Sequence, residues 1–262
     1  MCGCIRRWRR RRLAKRPFPE AWRAHLERQV PYYGRLAPDQ RERYETLVKT
    51  FVWEKHFFGA GGLEPTDEMR VVIAACAARL VLYLDLSYYD ELTEIVIYPS
   101  AYRHPDSDAG EAVLGEAHTW GLVVLSWDSV LRGLANPHDG HDTAAHEFAH
   151  VLDIANGSFD GTPQLRRGEH YRPWATVLGE HYNGLQRRRR KERTVLRDYG
   201  ATNEAEFFAV ATESYFEKPV QMKRQTPQLY AEMQRFYGGD PAASDAAGEA
   251  ADESRAEHPH AT

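Results

Sequence analysis

The chain has 262 residues, enough for one sizeable domain or two small ones, and its 42% hydrophobic content suffices for a packed core. A net charge of −4 excludes a molecule that binds polyanions over its whole surface, and three irregularly spaced cysteines, Cys2, Cys4 and Cys76, exclude a disulfide framework. A reducing, cytoplasmic setting is expected, because the basic start runs into charge and proline instead of an apolar leader, and the most apolar run, Val71 to Leu84, contains Arg79 and falls short of the roughly twenty residues a membrane span needs.

Residues 1–16 carry seven arginines and Lys15 without an acid, which predicts a flexible basic arm. From Pro19 the period turns helical, with Trp22, Leu26 and Val30 on one face and Pro31 as the stop. A second helix is expected from Pro38 to Phe57, with Tyr44, Leu47, Val48, Phe51 and Val52 inward and Gly59, Gly61 and Gly62 breaking it. Thr66 or Asp67 caps a third, apolar helix ending near Leu84. Glu94 to Tyr98, closed by Pro99, reads as a strand, as do Ala112 to His118 and Leu122 to Trp127.

Helix signals return at Asp142 and run to Asn156-Gly157. Further helices are expected at Tyr171 to Arg190 and Asn203 to Glu217, with Pro219 separating a last one that reaches Phe236. Helices, a few strands and then helices make an α+β arrangement, not alternating βαβ. Residues 17–237 are expected to form one domain, and 238–262, acidic and Ala-rich, a disordered tail.

The segment His146-Glu147-Phe148-Ala149-His150 carries the chemistry. Two histidines four apart on a helix lie one turn above each other, so both imidazoles can meet one ion, and zinc favours such nitrogen ligands. Glu147, rotated about 100° from His146, flanks the ion without binding it and can take a proton from its water. Asp153 shares the histidine face; it either hydrogen-bonds behind a ligand or is a polar residue near the helix end. A catalytic zinc needs a third protein ligand. Spacing alone leaves Glu204 and Glu206 equal, and Glu206 also fits a capping box with Asn203. Glu213 falls on the same inner face as Glu206.

Val124-Leu125-Ser126-Trp127, the run His146 to Asp153, Asn156-Gly157 and the run Asp198 to Val210 together resemble the Mlc titration factor A family of zinc peptidases, over roughly Pro17 to Tyr237. The segment Asn203 to Ala209 is also similar to the catalytic domain of anthrax lethal factor. The resemblance implies a mainly helical, zincin-like domain with a small sheet beside the metal helix, and one zinc per chain. It implies His146, His150 and Glu206 as ligands, Glu147 as general base, and Tyr199 as stabiliser of the oxyanion. Glu213 would stand behind the ligands. A further histidine near a resting zinc, with His104, His118 and His141 as candidates, stays open. A peptide or protein substrate follows, reached along the edge of the strand Leu122 to Trp127.

The same family is associated with capture of a transcriptional repressor. A regulatory binding protein, using the basic arm or Arg187 to Lys191, is therefore the alternative. Direct nucleic-acid binding and a membrane partner are not expected. An intact Glu147 favours the enzyme, since capture alone requires no base.

Overall fold

The computed structural model describes residues 3–101, 115–118 (backbone only), 121–188 and 194–243. A basic first helix, α1 (Gly3–Ala14), precedes α2 (Glu20–Gln29) and α3 (Pro38–Glu54). Pro38 opens α3 where its missing N–H has no partner to lose. The predicted stripe of Tyr44, Leu47, Val48, Phe51 and Val52 is buried. On α4 (Asp67–Leu80), Thr66 accepts a hydrogen bond from the Met69 amide at 3.3 Å, and Val71 through Ala78 are buried on every face. Such all-round apolarity requires cover on all sides. α2, α3 and the later helix Thr143–Ile154 supply it.

A small sheet follows, from β1 (His56–Gly59), β2 (Glu94–Tyr98), β3 (Gly115–His118) and β4 (Leu122–Ser126), in the order β1-β2-β4-β3. β1, β2 and β4 are parallel, whereas β3 runs antiparallel to β4. Ile95 and Ile97 alternate inward along β2. The chain then forms α5 (Trp127–Ala135), α6 (Thr143–Ile154), α7 (Tyr171–Arg187), α8 (Glu204–Glu217), α9 (Pro219–Gln225) and α10 (Pro227–Tyr237). α6 lies on the sheet and packs between α4 and α8. Its Phe148 ring meets Phe51 and Tyr89 edge-on, at 5.8 and 5.7 Å between centroids. The fold is a mainly helical α+β structure with a small sheet beside α6. Among the described residues no helix is long and apolar enough to cross a membrane.

Several boundaries differ from expectation, each for a local reason. Residues 3–14 of the expected flexible arm are helical and docked: Arg10 ion-pairs with Glu54 and Asp90, both at 2.7 Å, and Arg6 with Asp90 at 2.7 Å. Acids far along the chain hold what local apolar periodicity does not. α3 stops at Glu54 instead of Phe57, because the buried Lys55 ammonium donates to the Tyr89 and Leu92 carbonyls, and the chain turns into β1. Trp127 opens α5 instead of ending a strand, since the Ser126 hydroxyl caps the Ser129 amide at 3.2 Å. β4 is paired on both sides, so it has no free edge; β3 is the outer strand on that side.

At the other end, Gly238 at φ 81° closes α10, and the chain folds back far enough to bury Ala242. The remainder of the expected tail, and Arg189, Arg190 and Lys191 of the second basic run, lie outside the described residues.

Candidate metal centre

The N-terminus of α6 is fixed by Asp142, whose carboxylate accepts the Ala145 amide at 2.9 Å. One turn later His146, Glu147 and His150 are all buried. The Nε2 atoms of His146 and His150 lie 3.2 Å apart. Glu206 Oε2, from the first turn of α8, sits 2.9 Å from His146 Nε2 and 3.5 Å from His150 Nε2. Glu204 is exposed and stands away from this triangle. Asn203 does cap α8, accepting the Glu206 amide at 2.9 Å, but the Glu206 side chain turns to the histidines instead of closing the capping box.

Glu213, one face-repeat along α8, is the residue behind His146. As a carboxylate it only accepts, so His146 Nδ1 donates to Glu213 Oε1, at 2.8 Å. With Nδ1–H committed to Glu213, an ion held in the triangle would take the place of the Nε2 proton and meet that nitrogen's lone pair. The other Glu213 oxygen takes the Asp142 amide at 2.9 Å, and the Arg197 guanidinium ion-pairs with Oε1. Arg197 and Asp142 carry no motif spacing that marks them in the sequence; only the docking of α8 on α6 shows their role.

The donor set fits a metal. Ligands of a tetrahedral ion with bonds of about 2.1 Å stand about 3.4 Å apart, close to the three separations found. The charges say the same. Burial alone would lower the His146 imidazolium, yet Glu206 and Glu213 outweigh it and raise its pKa to about 10. Burial works against the Glu206 carboxylate too, but the two histidines lower it to about 2. The site therefore favours positive charge at its centre.

Burial raises Asp153 to about 7, against the Gly161 N–H that its Oδ2 accepts at 2.9 Å. Asp153 makes no hydrogen bond to either histidine; it pins the loop after α6. A Cβ on Gly161, at φ 74°, would lie 2.3 Å from the Glu204 carbonyl oxygen, so only glycine lets this loop meet the start of α8. The same loop brings the exposed Phe159 ring to 5.1 Å from His150. Across the site the half-exposed Tyr199 ring lies 5.9 Å from His146, and burial followed by the charges of Glu206 and Glu147 raises its phenol to about 12. The phenol thus keeps its proton at neutral pH. Of the extra histidines, His104 and the His118 side chain lie outside the described residues, and His141 is not part of the cluster.

A protein-family model described as glucose-regulated metallo-peptidase M90 matches residues 5–238. The chain belongs to this metallo-peptidase family. The family match includes most of α1, beyond the span over which the motifs alone carried the resemblance. Among the relatives of this chain, the Synechocystis sp. protein slr2042 is 36% identical over 245 residues, covering 89% of each chain. Mlc titration factor A of Edwardsiella ictaluri is 29% identical, covering 86% of this chain and 88% of its own. Mlc titration factor A of Klebsiella pneumoniae is 28% identical, covering 81% and 84%.

A buried acid at the far end of α8 from Glu206 gives the family member a pH signature. Glu217, at the end of α8, is 1% exposed, and neither carboxylate oxygen has a hydrogen-bond partner among the described residues. Burial, then the charge of Asp142, raises it from 4.5 to about 8. A folded-state pKa above the unfolded one means the native state holds the extra proton. Its contribution is full below about pH 4.5 and is lost as pH rises towards about 8, at up to about 1.4 kcal/mol per unit. Glu217→Gln should remove that slope. Urea unfolding across this range should show the variant gaining on the native chain as pH rises.

Proposed function

We propose that this M90 peptidase is zinc-dependent and hydrolyses peptide bonds with Glu147 as general base. The observation that carries the reading is the convergence of His146 Nε2, His150 Nε2 and Glu206 Oε2 beside the buried Glu147. Zinc bound by these three residues supplies a Lewis acid that polarises the scissile carbonyl and acidifies water. Glu147 takes the proton of the attacking water and later passes it to the leaving amine. The Tyr199 phenol, kept protonated, donates to the oxygen on which negative charge grows. Glu213, held by Arg197 and the Asp142 amide, keeps His146 in the tautomer that presents Nε2 inward. The outer strand β3 offers its backbone to an extended peptide.

Metal content of the purified protein and cleavage of a mixed peptide library, with and without a chelator, test this reading. One zinc per chain and chelator-sensitive cleavage are expected; robust cleavage by metal-free protein would overturn it. Tyr199→Phe should lower kcat about ten- to a hundredfold with little change in KM. Half-exposed as it is, the side chain contributes little to stability, so the thermal midpoint should hold.

The name Mlc titration factor A, borne by the Edwardsiella and Klebsiella relatives, favours a second role, titration of an Mlc repressor. A pull-down with such a repressor, using the wild type and Glu147→Gln, separates capture from cleavage. Both roles fit a cytoplasmic protein, a setting supported by the free thiols of Cys4 and Cys76.

A further inference from the structure

A helix lying on a protein body ordinarily turns its apolar side chains inward. α1 does the reverse. Arg6 and Arg10 face the body, where Arg10 grips Glu54 through two nitrogens at 2.9 and 2.7 Å and both arginines reach Asp90. Ile5 and Trp8 point away, 48% and 57% exposed. Ile5, Trp8 and Arg12 fall within about 60° around the axis, on one outward stripe. The Arg12 guanidinium lies 4.9 Å from the Trp8 ring centroid. Just beyond the helix, the Arg16 guanidinium sits 5.5 Å over the exposed Trp53 ring. Because the inward arginines are committed to Glu54 and Asp90, Ile5 and Trp8 cannot roll inward without breaking those ion pairs.

We propose that this face of α1 docks the protein on the surface of a bilayer that contains anionic phospholipid. Trp8 and Ile5 enter the interfacial layer, where an indole with an apolar body and one polar N–H is well accommodated. Arg12 and Arg16 reach the phosphates, their stems lying along the apolar contact. Charge complementarity selects the lipid, and the apolar stripe selects a bilayer over other polyanions: a nucleic-acid backbone would meet the arginines but leave Ile5 without a partner. The helix lies in the plane of the surface and spans nothing, so the membrane partner that was not expected from the sequence is a peripheral one. Two apolar side chains make a weak anchor, so binding is reversible and falls with salt.

The test is co-sedimentation of the full-length protein with vesicles of phosphatidylcholine alone or mixed with phosphatidylglycerol, at low and high salt. Binding is expected only to the mixed vesicles, and mainly at low salt. Two double variants, Ile5→Ser with Trp8→Ser and Arg12→Glu with Arg16→Glu, spare the anchors Arg6 and Arg10. Each should lower partitioning about tenfold or more while the thermal midpoint and small-peptide cleavage stay as in the wild type. Absence of wild-type binding to the mixed vesicles at low salt, or undiminished binding of both variants, would overturn the proposal. So would tight binding of duplex DNA that the Ile5→Ser, Trp8→Ser variant retains, if the vesicles are ignored.

Discussion

Glu147→Gln should leave the metal bound and lower kcat for a small peptide by about a thousandfold or more. Glutamine keeps the volume and one acceptor oxygen of glutamate, so α6 and its packing on α4 and the sheet need not move. It has no basicity to take a proton from water at neutral pH. Glu147 also stands about 100° around the helix from His146, outside the triangle of Nε2 and Oε2 atoms, so affinity for the ion should change little. The measurements are metal content after dialysis and kcat and KM for one peptide. Wild-type turnover in the variant would end the general-base assignment, whereas loss of metal would move Glu147 into the ligand set.

His150→Ala should act at the other level, lowering zinc affinity by about a hundredfold or more and abolishing cleavage with it. The His150 ring supplies one of three converging lone pairs, and nothing else described on the α6 face can replace it. Removal leaves His146 and Glu206, which already contact one another at 2.9 Å and can close into a simple ion pair without metal. The variant should therefore stay folded and lose its ion to a mild chelator. Stoichiometric zinc in dialysed His150→Ala protein would show that the ion sits elsewhere.

Helix positions were readable wherever burial was one-sided and periodic. The stripe on α3, the all-round apolarity of α4 and the alternation of Ile95 and Ile97 each state their own environment. His146 and His150 were legible for a similar reason: four-residue spacing is a local property, fulfilled inside one helix. Glu206 was not decided by spacing against Glu204; the choice rests on which side of α8 meets α6, a tertiary fact that the family resemblance supplied. The docking of α1 was hidden because its attachment is ionic, to Glu54 and Asp90, and charge runs look alike whether solvated or paired. β1 was hidden because four residues after a strong helix carry too little pattern, and Lys55 ends that helix only through carbonyls of Tyr89 and Leu92. Arg197 was invisible for the same reason as the docking of α1: its meaning comes from one carboxylate, Glu213, on another helix.

If His146, His150 and Glu206 hold the ion as proposed, the ligands are divided between two helices, and that bears on how the chain matures. α6 by itself holds both imidazoles, so a folding intermediate with that helix formed already possesses a two-nitrogen clamp. The carboxylate arrives only when α8 docks, bringing Glu206 to the ion and Glu213 to the back of His146. An incompletely assembled chain thus binds the ion weakly and the finished one binds it tightly. By linkage the difference returns as cohesion between the two helices, growing with the logarithm of free metal. On that reading metal supply would act as a quality check, with chains whose centre was never filled the first to unfold.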